Sequence, residues 1–309
     1  MAKPLRLAMT LIGLAALAGQ GAIAVASSTG TSAPEPQKTG GIVYGFGATE
    51  NGSMPLHLDL YAPQSPCTSP RPAVVFIHGG GFVERSNSGN AVPTIAAALA
   101  AEGIATLSIQ YRLQGDRPAA SPRYAKFPED FRKADPDRFG ARSAAAAAAA
   151  EDTVAAMNWL AVKGKEFCLD SGRVGLWGAS AGAMTALNVA YALDDFGIDA
   201  PRPRAVVDYY GQLFLDGVMD LGEPPLLIVH GDADEVVSPS AATALAKSSA
   251  AAGIPFAHTT IRGGGHGFGP LGFFSIRPGG ASMAQAHARF VARHMFDGTP
   301  DYVVQTLDR

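Results

Sequence analysis

Two hydrophobic rhythms divide the chain. Leu56, Leu58 and Leu60 alternate with polar residues, a period of two that marks a half-buried strand. The runs "GIVYGFG" (41–47) and "LHLDLYAP" (56–63) flank the turn signal Asn51-Gly52, so an antiparallel hairpin is expected to open the fold. After Pro72 the rhythm changes. "AVVFIH" (73–78) is apolar on both faces, as a buried parallel strand requires. Five further strand-like runs follow: "IATLSIQY" (104–111), "RVGLWG" (173–178), "AVVDYYG" (205–211), "PLLIVHG" (225–231) and "FAHTTI" (256–261). Helices are expected between them: at about 92–102, stopped by Gly103; at 143–162, with Ser143 as N-cap; at 181–193; after Ser238-Pro239; and near 281–295. Eight strands with helices interleaved from the third onward predict an α/β fold. The sheet is expected to be mostly parallel and doubly wound, with the hairpin at one edge.

The ends of the chain read differently. Lys3 and Arg6 precede the apolar run 7–17, and the small-residue sites "AIA" and "AVA" follow. This order is that of a secretory signal peptide over residues 1–26; the apolar run is too short to span a bilayer. Residues 27–41, rich in Ser, Thr, Pro and Gly, read as a flexible leader, leaving one domain over 42–309. The mature chain is expected to be secreted or periplasmic, with no stable membrane anchor. Losing Lys3 and Arg6 takes the formal charge from −3 to −5, and no basic tract suggests nucleic-acid binding. With two cysteines, Cys67 and Cys168, an exported chain favours a disulfide over two separate thiols. Residues 114–142 carry seven Lys or Arg, five Asp or Glu and several aromatics, which suggests a lid or a short insert.

The chemistry concentrates where strands end. "GASAG" (178–182) is G-x-S-x-G between a strand and a helix, the pattern of a nucleophile on a sharp turn, which points to Ser180. "HGGGF" (78–82) ends the third strand. Three successive glycines suggest backbone N–H groups that must face a developing oxyanion, assigned to Gly80 and Gly81 together with Ala181. His78 is expected to brace this loop. His266, in the loop "GGGHGFG" after the last strand, is the candidate base. The acid lies in "HGDADEVV" (230–237), and these residues alone allow either Asp232 or Asp234. Phe82, Tyr209 and Tyr210 are candidates for a substrate pocket, with core packing an equal alternative for the tyrosines. Trp177 is expected to lie buried under the nucleophile turn. No metal cluster is visible, and no cofactor is called for.

The chain resembles the α/β-hydrolase superfamily, and within it the secreted esterases and lipases with an HGGG loop. The motifs "HGGGF", "YRL" (111–113), "GASAG", "HGDADEVV" and "GGHGF" (264–268) carry the likeness, in that order. The resemblance implies an α/β-hydrolase fold and places the acid at Asp234. It also makes the third and fifth strands neighbours, which implies a structural Cys67–Cys168 bridge away from the site. It further implies a Ser180–His266–Asp234 triad acting on short acyl or polysaccharide-linked acetyl or feruloyl esters. A lactone or amide hydrolase like the dienelactone hydrolases is an alternative, as is a binding protein on a hydrolase fold. The former commonly use Cys where Ser180 stands, and the latter would be expected to have lost one of the three residues.

Overall fold

The computed structural model describes residues 35–84, 91–124, 140–268 and 275–308, with isolated positions between 125 and 139. The signal segment 1–26, the leader up to residue 34 and most of 125–139 lie outside the described residues.

Nine strands form a single sheet: β1 (Gln37–Thr49), β2 (Gly52–Ala62), β3 (Arg71–Ile77), β4 (Ala105–Ile109), β5 (Leu169–Ala179), β6 (Val206–Tyr209), β7 (Leu226–Gly231), β8 (Phe256–Arg262) and β9 (Val304–Asp308). Their order is β1-β2-β4-β3-β5-β6-β7-β8-β9. The first two pairings are antiparallel and the other six parallel, as the switch from one-sided to two-sided strands predicts. Five described α-helices cover the two faces. α2 (Ser143–Lys163), α3 (Ala181–Tyr191) and α4 (Ser240–Ala252) pack into one apolar cluster; α1 (Ala91–Ala101) and α5 (Met283–Met295) pack into the other. Six consecutive alanines of α2, Ala145 to Ala150, are fully buried, and their small side chains let this helix lie close to its neighbours.

Three expectations are corrected. β1 begins at Gln37, inside the segment expected to be leader. Asp59 on β2 holds that segment: Lys38 Nζ is 2.8 Å from one carboxylate oxygen, and the Gly41 N–H donates to the other at 3.1 Å. The pairing shifts register between Thr39 and Ile42, where Gly41 takes a φ of +71°. The sheet has nine strands rather than eight. The ninth, β9, has only exposed and half-buried positions and pairs in parallel with β8, so it carried no buried run to read. Ser143 is the first residue of α2 rather than its cap. Arg142 stands at the cap position, and the Ser143 hydroxyl donates back to Gly140 O at 3.3 Å.

The start of the 114–142 segment is anchored by Arg112, which is buried. Its guanidinium donates to Asp152 and Glu151 of α2 at 2.6 and 2.7 Å, and to Ala48 O and Ala119 O. Burial pushes the Asp152 carboxyl up to about 6, against the pull of Arg112. Cys67 and Cys168 form a disulfide with Cα atoms 6.1 Å apart, joining the chain just before β3 to the chain just before β5.

Candidate active site

Ser180 fills the single position between β5 and α3 with a φ of 53°, a strained conformation for a non-glycine residue. The flanking glycines make this turn sterically feasible. A Cβ on Gly182 would run into the carbonyl oxygens of Ile77 and His78, and one on Gly178 into Gly182 O and Ala183 N. The Ser180 N–H donates to Tyr209 O at 2.9 Å, and its carbonyl accepts the Met184 N–H at 2.9 Å, opening α3. The hydroxyl therefore stands at a helix N-terminus, at the carboxyl end of the parallel strands.

His266 follows β8 and reaches back over this turn. Its Nε2 lies 2.9 Å from Ser180 Oγ, and its Nδ1 2.8 Å from Asp234 Oδ2. Asp234 is buried, and its other oxygen accepts the N–H groups of Val236 and Val237 at 2.8 and 2.9 Å. Burial alone would raise this carboxyl; the bonds to His266, Val237 and Val236 outweigh it and hold the group below its ordinary 3.8. The other two acids of the cluster, Asp232 and Glu235, are exposed. Asp232 accepts the Gly263 N–H at 2.6 Å and so ties the acid loop to the histidine loop. Loop contact is close here: a Cβ on Gly231 would collide with Gly264 O. His230 lies 3.3 Å from Asp234 Oδ2 and donates from Nε2 to Val237 O at 3.0 Å, while burial lowers its basicity and favours the neutral ring.

The glycine loop closes the other side. Gly80, Gly81 and Phe82 have positive φ of 104°, 61° and 63°, and Gly80 O accepts the N–H groups of Val83 and Glu84 at 3.0 Å each. Gly79 has no room for a side chain: its Cβ would stand 2.9 Å from Ala179 O and 3.2 Å from Ser180 Cβ. His78 braces the loop, with Nδ1 2.6 Å from Gly79 O and its ring stacked 4.3 Å from that of Tyr111. The Tyr111 hydroxyl donates to His78 O at 2.8 Å. Gly80, Gly81, Ala181, Ser180 and His266 all line one cavity of about 320 Å³.

Phe82 and Tyr210 also line that cavity; Tyr209 does not. Tyr209 is fully buried in the apolar cluster covered by α1 and α5, with its hydroxyl 2.7 Å from His287 Nδ1 and its ring edge-on to Trp177. Tyr210, at a φ of 46°, instead presents its ring edge-on to His266, with centroids 4.8 Å apart. Trp177 is buried beside Tyr209. Sequence reasoning missed Arg142, Met184, Val236 and Val237, which line the same cavity. Arg142 was one of seven cations in 114–142, with nothing local to single it out. Among the described residues, no group of three His, Cys, Asp or Glu is placed to hold a metal ion.

Two family models match the chain: one described as BD-FAE over residues 58–134, and one described as alpha/beta hydrolase fold over residues 141–221. Among solved structures, a truncated carbohydrate esterase from gut microbiota aligns with a TM-score of 0.62 at 18% identity, covering 85% of this chain and 98% of the other. A thermophilic esterase from the planctomycete Thermogutta terrifontis aligns with a TM-score of 0.59 at 19% identity, covering 84% and 90%. A curated relative, the non-reducing polyketide synthase Preu6 of Preussia isomera, is 29% identical over 180 residues; the match spans 56% of this chain but 7% of that protein. At these identities the structural likenesses establish the fold alone.

Proposed function

We propose that this chain, which has an α/β-hydrolase fold, is a carboxylic-ester hydrolase whose catalysis runs through Ser180, His266 and Asp234 by way of an acyl-enzyme. Ser180 Oγ attacks the ester carbonyl while His266 Nε2 takes its proton and passes it to the leaving alcohol. Asp234 holds the ring with Nδ1 protonated and stabilises the imidazolium. Gly80, Gly81 and Ala181 line the cavity beside Ser180, and in this reading their N–H groups receive the oxyanion. Water, activated by the same histidine, then releases the acid. The observation that carries this reading is the hydrogen-bonded line from Ser180 Oγ through His266 to Asp234, at 2.9 and 2.8 Å. The test is fluorophosphonate labelling read by intact mass. Wild type is expected to gain one adduct and Ser180→Ala none; labelling that survives the substitution overturns the assignment.

The substrate class is short acyl esters, or acetyl or feruloyl esters linked to polysaccharide. A small cavity with an apolar lining of Phe82, Met184, Val236 and Val237 supports it, as does likeness to a protein described as a carbohydrate esterase. Hydrolysis is expected to fall steeply with acyl length across an aryl-ester panel. We further infer export through residues 1–26; the Cys67–Cys168 disulfide suits an oxidising compartment. An extracellular product that begins before residue 20 would count against it.

A further inference from the structure

We propose that Arg142 selects for esters that carry a carboxylate, an inference that deepens the esterase reading and rests on it. Arg142 is the one permanently charged side chain among the described residues lining the cavity that holds Ser180. Its Nη1 sits 3.1 Å from where a Cβ of Gly81 would stand, so the guanidinium lies against the glycine loop in the space a side chain would fill. The residue is half-buried, and among the described residues no carboxylate forms an ion pair with it. It also stands at the N-terminal cap of the 21-residue helix α2, whose dipole disfavours a cation there.

A guanidinium withdrawn from water without a partner carries a desolvation cost that a ligand anion would remove. Its planar fork matches a carboxylate with two parallel hydrogen bonds. The rest of the described lining offers glycines, apolar side chains, the neutral phenol of Tyr210 and the reacting groups. Among the described residues, Arg142 therefore gives an ester that reacts at Ser180 a place to put a negative charge, beside the glycine loop. The charge can come from either side of the ester: a dicarboxylic acid esterified at one end, or an alcohol that itself bears an acid.

Two matched pairs distinguish these sources. 4-Acetoxybenzoate against its methyl ester places the charge on the alcohol; mono-4-methylphenyl succinate against its methyl-capped form places it on the acyl group. The readout is the anionic-to-capped ratio of kcat/KM within each enzyme form. In one pair the wild-type ratio is expected to be about ten, the order a charge-assisted hydrogen bond gives. It should fall to about one in Arg142→Gln and below one in Arg142→Glu. A ratio of one or less in wild type for both pairs, or one that Arg142→Gln leaves unchanged, overturns the proposal; in the latter case Arg142 only braces the loop. Binding to Ser180→Ala by calorimetry keeps the two readings apart. The anionic member of the responding pair should bind more tightly than its capped partner, and the added Arg142→Gln should abolish the difference. If Ser180-dependent hydrolysis of the capped esters is itself absent, the esterase reading fails, and the binding result judges Arg142 alone.

Discussion

Asp234 is held on both sides, by His266 Nδ1 on one oxygen and by the N–H groups of Val236 and Val237 on the other. An asparagine there keeps the shape but offers an amide where the ring needs an acceptor, so the histidine loses its working tautomer. Asp234→Asn is expected to lower kcat by roughly 10³–10⁴-fold with little change in KM. Asp232→Asn, which removes an exposed charge and keeps an acceptor for the Gly263 N–H, should leave kcat within about threefold in the same steady-state assay. Asp234 also sets a stability term. Its folded carboxyl lies below the unfolded 3.8, so the stabilisation is fully present well above that value and is lost as pH falls through the folded one. At this scale the residue types were legible: Ser180, His266 and the glycines were marked by their place after strands. The choice between Asp232 and Asp234 was not legible in the residues themselves, because both sit in one loop and only burial against His266 separates them; the family resemblance, not the local pattern, pointed to Asp234. Tyr209 and Tyr210 show the same limit from the other side: neighbours in sequence and packed against one apolar cluster, only Tyr210 reaches the cavity.

The elements position these residues by close approach of backbone to backbone. β5 enters the nucleophile turn and α3 leaves it so near β3 that Gly182 has carbonyl oxygens where a methyl would go. Gly182→Ala is expected to cost more than about 3 kcal/mol, or to prevent folding, measured by urea denaturation. On the far face, α5 carries a buried histidine, His287, and a half-buried one, His294. Burial lowers His287 to about 3 and His294 to about 4, while the unfolded chain titrates near the ordinary 6.5. Between those values the unfolded state binds protons that the native state does not, so stability should decline as pH drops from about 6.5 toward 4. His287→Gln is expected to flatten that slope by roughly one proton in urea midpoints taken across the range. Its Tyr209 partner means absolute stability will fall too, so the slope is the readout. Parallel strands were legible as elements because burial on both faces makes them continuously apolar. β9 and the start of β1 were not, because their residues are held by edge pairing and by Asp59 rather than by apolar burial.

Across the whole molecule, the reactive groups and the covalent staple occupy opposite ends of the same strand. Cys168 precedes β5 and Ser180 follows it, so the length of the strand separates the two. The bridge closes a chain separation of 101 residues that contains α1, β4 and α2. Its partners lie where β3 and β5 already pair, Arg71 opposite Leu169, with the Arg71 N–H donating to Cys168 O at 2.8 Å. The native sheet therefore holds the two ends together without the bridge, and its effect falls mainly on the unfolded chain. Closing a loop of that length is worth about 4–5 kcal/mol in the chain-entropy account. Replacing both cysteines by serine should lower unfolding stability by about 3–5 kcal/mol in urea. Turnover at 25 °C should stay within about twofold, since neither the glycine loop nor the nucleophile turn touches that end. Reductant should destabilise wild type by the same amount and leave the double variant unmoved. If turnover instead fell tenfold with stability intact, the amino end of the sheet would be coupled to the site, and this separation of staple from chemistry would be wrong.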